Sequence, residues 1–220
     1  YYIFGNVHDD GALRTEQLDF IERTIGGSCG SWYDIGAANG SFLNGVRNIG
    51  YEVHGIEPST RAVDAAREKY GISIEKGFFG KEVAEKERRR FDVVSMNHVL
   101  EHVDQPREFL LQAKEVLKVG GKIFLEVPDL EKCIRANIAE FFTIEHLNYF
   151  ERDSVQRLAK EVGLEVEAYE TGECKNAIRF ILKSGNVEGE HLYGYNDLRD
   201  NRAIVERYIE SRKELVRTLR

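Results

Sequence analysis

The feature that most constrains this chain is a regular alternation of short, apolar, strand-like runs with segments of helical spacing, most of them closed by glycine. Residues 31–35 and 91–96 are strand-like, and Phe42, Val46 and Ile49 lie on one helix face between them. Such alternation is typical of parallel strands joined by helices that cover both faces of a sheet. The sequence therefore predicts an α/β fold with a doubly wound, mostly parallel sheet of seven strands.

The same patterns place the individual elements. Strands are predicted at 31–35, 51–56, 72–74, 91–96, 122–127, 164–170 and 177–183. Helices are predicted at about 15–26, 42–49, 59–70, 104–119, 153–162 and 195–220, the fourth starting at Asp104 and the fifth capped by Asp153. The short link before the last strand favours an antiparallel hairpin, so the terminal strand is expected to be antiparallel. The charged run 81–90 is expected to be a solvated helix or loop.

Composition excludes several classes of protein. The 220 residues are 42% hydrophobic, which suits one domain with a real core, and the net charge of −7 argues against a nucleic-acid partner. No apolar run approaches the ~18 residues of a membrane span. Cys29, Cys133 and Cys174 are too few and too scattered for a disulfide framework or a paired-cysteine metal site. Free thiols in a reducing compartment follow, and we expect a cytoplasmic protein without a membrane partner.

A glycine turn follows the first strand and precedes a helix. The strand ends at Asp34, and Gly36 and Gly40 allow a tight turn with a close ligand approach. Glu57 ends the second strand, 21 residues after Gly36, where a carboxylate can bind ribose hydroxyls. This arrangement is typical of a nucleotide-cofactor site in doubly wound folds.

Two cofactors could use such a turn. A dinucleotide needs G-x-G-x-x-G to bring its pyrophosphate onto the helix, but Ala38 and Ser41 occupy the second and third glycine positions. S-adenosylmethionine has no phosphate, and the carboxylate of Asp34 suits its ammonium group. The turn therefore favours S-adenosylmethionine over a dinucleotide.

Four stretches in this order resemble the class I S-adenosylmethionine-dependent methyltransferases. They are DIGAANGSF (34–42), GIEPS (55–59), FDVVSMNHVLEHVDQP (91–106) and LKVGGKIFLEVPD (117–129). The resemblance covers about residues 28–183 and implies methyl transfer, with S-adenosylmethionine as cofactor and S-adenosylhomocysteine as product. We predict a methyltransferase domain at 1–190 and a C-terminal helical tail at 191–220, through which the chain could form a homodimer.

The resemblance also implies roles for single residues at the cofactor site. It assigns Asp34, Gly36, Ala38 and Gly40 to the methionine end, Glu57 and the following Pro58 to the ribose, Gly77 and Phe78 to adenine, and Asn97 and His98 to the cofactor-facing end of the fourth strand. Ala38 stands where the family usually has a third glycine.

Residues 98–102 match the zinc-protease pattern H-x-x-E-H. That mechanism needs both histidines on one helix face and a third ligand elsewhere. Here the pattern directly follows a buried strand, and the methyltransferase resemblance also accounts for it. We therefore expect no metal ion, and we expect Glu101 and His102 to line or cap the rim of the cleft.

The stretch Glu145–Phe150 resembles the EHxxYF loop of methyltransferases that act on sugars. That resemblance implies His146 as general base, with Glu145 orienting it or binding a substrate hydroxyl. Thr143 stands where the sugar C-methyltransferases often have tyrosine, so a hydroxyl acceptor is as well supported as a carbon. The simpler alternative is a histidine hydrogen-bonded within a lid. We predict O- or C-methylation of a small molecule, with a sugar or natural-product intermediate as the first candidate.

Two other functions remain open on the sequence alone. One is a nicotinamide-dependent reductase on a related fold. The other is a binding module that holds S-adenosylmethionine without catalysis.

Overall fold

Strands and helices alternate along the computed structural model, which describes residues 11–26, 30–138, 141–173, 176–185, 206, 209–210 and 213. The strands are β1 Ser31–Ile35, β2 Glu52–Glu57, β3 Glu75–Lys76, β4 Phe91–Asn97, β5 Leu117–Pro128, β6 Leu164–Thr171 and β7 Ala177–Ser184. The helices are α1 Gly11–Thr24, α2 Ser41–Asn48, α3 Thr60–Tyr70, α4 Lys81–Lys86, α5 Pro106–Val116, α6 Leu130–Arg135 and α7 Arg152–Glu161, with a short 3-10 helix at Leu100–His102.

The seven strands form one sheet in the order β3-β2-β1-β4-β5-β7-β6. Strands β1 to β5 pair in parallel, whereas β7 runs antiparallel to both of its neighbours, β5 and β6. The predicted fold class is confirmed. The strand order reverses between β1 and β4, and ligands of open α/β sheets bind at the carboxyl ends of the strands beside such a reversal.

Each face of the sheet has its own hydrophobic core. Alternation along β1 sends Tyr33 and Ile35 into one core and Trp32 into the other, where Trp32 packs edge-on against Tyr51. The indole nitrogen of Trp32 donates to Ser95 Oγ at 2.6 Å. The two cores hold the carboxyl ends of β1 and β4 in register.

Several predicted element boundaries are wrong, and three of them have a clear physical reason. Residues 72–74 precede the third strand, because Ile72 and Ile74 are buried without strand pairing and the parallel pairing with β2 begins only at Glu75. Helix α5 begins at Pro106 rather than Asp104 and ends at Val116, before the extended backbone of Leu117. Helix α7 is capped by Glu151 rather than Asp153.

The cap of α7 is reciprocal. The side chain of Glu151 binds a first-turn backbone amide, and the hydroxyl of Ser154 accepts from the backbone N–H of Glu151 at 2.9 Å. This capping box satisfies two amide groups that a helix start leaves without partners. Asp153 lies in the first turn of the helix.

Some predictions fall on other parts of the chain. Of the predicted helix 195–220, only residues 206, 209, 210 and 213 are described, and these are helical; the rest of that prediction lies outside the described residues, as do Cys29 and Cys174. Cys133 is a buried free thiol. Within the described residues, no helix combines the length and apolarity needed to cross a membrane.

Candidate active site

Asp34 is the innermost polar group of the site, with 1% of its surface exposed. Ser95 Oγ donates to its Oδ1 at 2.6 Å, and Asn97 Nδ2 donates to the same atom at 3.3 Å. Burial raises the pKa of Asp34 to about 7, against the opposing effects of these hydrogen bonds and of Arg14. Near neutral pH this carboxyl group is therefore poised to ionise when a cation binds beside it.

The turn after β1 depends on its glycines. Gly36 has φ 73°, and a Cβ there would lie 2.7 Å from Val99 Cγ2; Gly40 has φ 73°, and its Cβ would lie 2.9 Å from Ala66 Cβ. Ala38 also has a positive φ, 47°, which is strained for a residue with a side chain. A glycine would adopt this backbone conformation without that strain.

Glu57 ties this turn to the start of α3. Its buried carboxylate accepts the backbone N–H of Ala38 at 3.0 Å through Oε2 and that of Ser59 at 2.8 Å through Oε1, with Pro58 between the strand and the helix. Each oxygen keeps a second lone pair that can accept from a hydroxyl group. The backbone carbonyl of Glu57 also accepts the N–H of Gly77 at 3.1 Å, which brings the loop after β3 to the same edge.

The donors and acceptors at this edge fit S-adenosylmethionine. The Asp34 carboxylate could pair with the ammonium group, and the Glu57 carboxylate could accept from the ribose hydroxyls. Phe78 follows Gly77 and is 82% exposed, so its ring offers a flat apolar surface for adenine. The structure therefore brings the residues predicted for the two halves of the cofactor to one edge of the sheet.

The end of β4 carries the other two predicted cofactor residues. Asn97 contacts Asp34, whereas the ring of His98 lies between two buried carboxylates, with Nδ1 3.3 Å from Glu101 Oε1 and Nε2 3.1 Å from Glu126 Oε1. Burial opposes charge on this ring, but the two carboxylates raise the pKa of His98 to about 9. His98 also has a positive φ, 52°. Its side chain is therefore engaged by the protein at the strand end.

Sequence reasoning missed a buried polar network that joins α1 to the sheet. Gln17 Nε2 donates to Glu126 Oε1 at 2.8 Å and to Asn97 Oδ1 at 3.1 Å. Arg179 Nε donates to Glu126 Oε2, and Arg179 Nη2 donates to Glu16 at 2.9 Å. Burial opposes ionisation of Glu126, yet its cationic partners hold its pKa down at about 2.

A signal for this network was present in the sequence. Glu126 and Arg179 each have apolar neighbours on both sides within a strand, and charged side chains are rarely buried unless they are paired. Their opposite charges predict a pair across neighbouring strands, and β5 and β7 place Glu126 directly opposite Arg179.

The loop that contains the EHxxYF stretch is docked onto the 3-10 helix. The backbone carbonyl of Glu101 accepts the N–H of Leu147 at 2.8 Å and that of Asn148 at 3.0 Å. Asn148 Nδ2 donates to the Val103 carbonyl at 2.6 Å. Asn148 is thus a second residue that the sequence reasoning missed, and it holds the loop above the end of β4.

His146 lies within this docked loop, and its ring centroid is 5.0 Å from that of His102. Its Nδ1 is buried without a hydrogen bond to the described residues. Burial lowers the pKa of His146 below its usual value, with Glu101 opposing this and His102 adding to it. The exposed Glu145 contacts His102 Nδ1 through its backbone carbonyl at 2.9 Å, so the orientation of His146 by the Glu145 carboxylate stays a prediction.

Known proteins share both the sequence pattern and the fold. A family described as "Methyltransferase domain" matches residues 11–169. A ubiquinone biosynthesis O-methyltransferase of Shewanella pealeana is 28% identical over 152 residues, which are 66% of this chain and 61% of the relative. The enzyme of the same name from Aromatoleum aromaticum is 25% identical over 199 residues, 83% of this chain and 82% of the relative. The chain spans about three-fifths of the length of the Shewanella relatives.

Solved structures give the same fold at low sequence identity. A SAM-dependent methyltransferase from Archaeoglobus fulgidus superposes with a TM-score of 0.63 at 17% identity, covering 78% of this chain and 94% of that one. Magnesium protoporphyrin IX methyltransferase of Synechocystis PCC 6803, with bound SAH, gives 0.62 at 14% identity, covering 84% and 91%. With the glycine turn, Asp34 and Glu57 at one sheet edge and the family match over residues 11–169, the chain belongs to the class I methyltransferases, whose cofactor is S-adenosylmethionine and whose cofactor product is S-adenosylhomocysteine.

Proposed function

We propose that the protein transfers a methyl group from S-adenosylmethionine to a hydroxyl oxygen of a small molecule. The cofactor carries its methyl group on a sulfonium and supplies an activated donor. The named relatives are O-methyltransferases, which supports oxygen rather than carbon as the acceptor atom. The chain itself must then place the hydroxyl group, exclude water and assist loss of the hydroxyl proton.

The observation that carries this proposal is the position of His146. The loop is docked through Glu101 and Asn148 onto the segment that follows β4, and Asn97 at the end of β4 contacts the predicted ammonium ligand Asp34. The lowered pKa keeps the ring of His146 neutral at physiological pH, so its lone pair is available to activate a hydroxyl group. This docking supports a site of acceptor activation near the proposed methionine end of the cofactor site.

The surface of the loop bears on the class of acceptor. Ile144 is 96% exposed, Leu147 and Phe142 are also exposed, and Tyr149 packs against Phe142 with ring centroids 5.0 Å apart. Apolar and aromatic side chains on both sides of His146 favour an acceptor with an aromatic or apolar body. The EHxxYF resemblance favours a sugar, so both classes belong in the test.

Calorimetry and a methyl-transfer assay test the proposal together. We expect S-adenosylhomocysteine to bind and reduced nicotinamide cofactors not to bind. With labelled S-adenosylmethionine, a panel of phenols and nucleotide sugars should yield a methyl ether, and His146→Ala should lower kcat at least tenfold. The matched control is His54→Ala on β2, which should leave kcat within about twofold.

Two outcomes would overturn it. Binding of reduced nicotinamide in place of S-adenosylhomocysteine would support the reductase. Binding of S-adenosylhomocysteine without turnover of any acceptor, with His146→Ala changing nothing, would support the non-catalytic module.

A further inference from the structure

Glu101 is a buried residue that connects the end of β4 to the loop carrying His146. It is 1% exposed, and its Oε1 lies 3.3 Å from His98 Nδ1 and 3.8 Å from His102 Nε2. Its backbone carbonyl accepts the two amide groups that dock the loop, those of Leu147 and Asn148. The same residue therefore holds the loop through its backbone and places a buried carboxylate beside it.

His98 supplies the positive charge that allows Glu101 to stay ionised in the interior. Its ring lies between Glu101 and Glu126, and Glu126 is also paired with Arg179. Burial opposes charge on this ring, but the two carboxylates raise the pKa of His98 to about 9, so it is protonated at neutral pH. Arg179, Glu126, His98 and Glu101 thus alternate in charge, and Glu101 is the member that also contacts the loop.

The side chain of His146 approaches this carboxylate. One of its ring nitrogens lies within 4.8 Å of a carboxylate oxygen of Glu101. Both His146 Nδ1 and Glu101 Oε2 are buried, and neither makes a hydrogen bond to the described residues. Hydrogen bonds between catalytic groups are often long in the free enzyme and shorten when the substrate binds. A movement of about 2 Å would bring donor and acceptor to hydrogen-bond distance.

The charge of Glu101 already acts on His146 at this distance. Burial lowers the pKa of His146, and Glu101 makes the largest opposing contribution, while His102 and His98 lower the pKa further. The backbone carbonyl of Phe141 also raises it. The carboxylate of Glu101 therefore favours the protonated form of the ring, which is the form that a general base reaches during the reaction.

We infer that Glu101 is the positioning residue of His146, and that its carboxylate accepts the Nδ1–H of the ring. In a neutral imidazole one nitrogen donates and the other accepts, so a proton fixed on Nδ1 leaves the lone pair on Nε2. A carboxylate behind a histidine base orients the ring and stabilises the imidazolium that forms, as in the triads of serine hydrolases. The catalytic part of this inference rests on the proposed hydroxyl methylation, whereas the hydrogen bond does not.

The reaction gives each of these atoms a part. The O–H bond of the acceptor breaks, and its proton passes to Nε2 of His146. The oxygen electron pair forms the O–CH₃ bond, while the S–CH₃ bond breaks and its electron pair remains on sulfur. His146 is then an imidazolium beside the carboxylate of Glu101, which stabilises the new charge in the interior. Loss of this carboxylate should therefore slow the reaction even when His146 is intact.

The sequence suggested Glu145 as the residue that orients His146. Glu145 is exposed, and its contact with His102 Nδ1, at 2.9 Å, is made by its backbone carbonyl. A buried carboxylate orients a ring more firmly than an exposed one, because water competes less for the hydrogen bond. Glu101 is the better placed of the two carboxylates.

Nitrogen NMR of the full chain with ¹⁵N-labelled histidine tests the hydrogen bond without an acceptor. His146→Ala identifies the signals of His146 among those of the six histidines. We expect the neutral ring to carry its proton on Nδ1. Glu101→Gln should lower the pKa of His146, because the charge that raises it is lost, and Glu101→Asp should keep the pKa nearer to that of the parent chain. The matched control is Glu52→Gln, whose side chain is 76% exposed at the start of β2, and it should change neither property.

The other groups that titrate around His146 are followed in the same experiment. His98 and His102 give their own signals, so a change in their charge is recorded alongside that of His146. The ring centroid of Tyr149 lies 6.0 Å from that of His146, and Tyr149→Phe removes its phenol as a further check. The expected fall in the pKa of His146 on Glu101→Gln should persist in the Tyr149→Phe background.

Kinetics with a methylated acceptor test the positioning role. Glu101→Gln should lower kcat at least tenfold and move the acidic limb of the kcat/KM profile to lower pH, since that limb follows the pKa of His146 in the free enzyme. Glu101→Asp should recover part of the lost kcat, and Glu52→Gln should leave kcat within about twofold. If Glu101 acts through His146, the double variant Glu101→Gln/His146→Ala should be no slower than His146→Ala alone.

Several results would overturn the inference. One is a neutral His146 that carries its proton on Nε2 in the parent chain, a result that needs no variant to fold. Others are an unchanged pKa of His146 in a Glu101→Gln chain that still binds S-adenosylhomocysteine within threefold of the parent, kinetic losses that add in the double variant, or a pKa shift caused by Glu145→Gln instead. If the NMR results are as expected but no hydroxyl acceptor is methylated, the proposed function fails and the hydrogen bond stands. If a hydroxyl is methylated but His146 does not respond to Glu101→Gln, the inference fails and the function stands.

Discussion

Asp34 combines nearly complete burial with hydrogen bonds that only partly offset the cost of its charge. Ser95 and Asn97 donate to one oxygen, and Arg14 of α1 contributes a positive field, while Glu57 across the turn opposes ionisation. The resulting pKa of about 7 is a property of the chain without its cofactor. A bound ammonium group would favour the ionised form, so cofactor binding and proton release are linked at this residue.

Affinity for S-adenosylhomocysteine should therefore rise with pH. With a pKa of about 7, the ionised fraction of Asp34 grows from about one tenth at pH 6 to about nine tenths at pH 8. The dissociation constant should fall about tenfold over this range, and calorimetry at pH 6.5 in buffers of different ionisation enthalpy should detect release of a proton. The variant Asp34→Asn should bind more weakly with a nearly flat pH profile. A parent profile equally flat would contradict this assignment.

The part of the site that is local in sequence could be predicted, and the part made by distant contacts could not. Asp34, Gly36 and Gly40 lie within seven residues, so strand, turn and helix signals define them together. The meeting of Gln17 with Glu126 spans 109 residues, and no spacing rule reaches that far. His146 was predicted from a resemblance, but its approach to Glu101 depends on how the loop docks.

Helix α1 packs on the sheet through Phe20 and Ile21, and it is also attached through charges and hydrogen bonds. Gln17 and Glu16 contact β5 and β7 through Glu126 and Arg179, both of which are fully buried. A buried pair of this kind adds little over a well-packed apolar replacement, but removal of one member leaves the other without compensation. The network therefore makes the position of α1 depend on both strands.

Replacement of Arg179 alone should destabilise the fold far more than replacement of both Arg179 and Glu126. Arg179→Met should lower the free energy of unfolding by about 3 kcal/mol or more, because Glu126 keeps its burial and loses a cationic partner. The double variant Arg179→Met/Glu126→Gln should recover at least half of that loss. Urea denaturation measures both values. Arg135→Met, which removes an exposed pair with Glu131, is the control and should cost less than about 0.5 kcal/mol. A double variant no more stable than the single one would refute the pairing argument.

Element boundaries show where sequence patterns mislead. Alternating Ile72 and Ile74 have the period of a strand, but both are buried before pairing starts, and the paired residues Glu75 and Lys76 are exposed and charged. Burial and strand pairing are separate events, and the hydrophobic pattern reports only burial. The predicted helix 104–119 would end just before Gly120, but Gly120 has φ 81° inside the long strand β5, where it accompanies the register shift against β4.

At the scale of the whole molecule, every residue predicted to contact the cofactor lies in the described sheet or in the loops that join its strands. The sheet runs from Ser31 to Ser184, and the family match lies within residues 11–169. The predicted division into a methyltransferase domain at 1–190 and a helical tail at 191–220 thus requires nothing of the tail for cofactor binding. The predicted homodimer through that tail stays a prediction.

Truncation after residue 190 tests this division. The shortened chain should unfold cooperatively and bind S-adenosylhomocysteine with a dissociation constant within about threefold of the parent chain, since the assigned ligands all lie in the sheet and its loops. Sedimentation of both forms measures their mass, and the predicted dimer should become a monomer on truncation. Loss of cofactor binding would place part of the site in the tail, and an unchanged dimer would place the interface elsewhere.

The position of β7 between β5 and β6 sets an order of events for a chain leaving the ribosome. Strand β6 emerges first, but its partner in the sheet comes from later residues, 177–184. Until residues 177–184 have been synthesised, β5 remains an unpaired edge of the sheet and Glu126 lacks its ion pair with Arg179. The nascent protein thus cannot complete its sheet in the order of the sequence. Strand β7, the last of the described strands to be synthesised, joins β5 and β6.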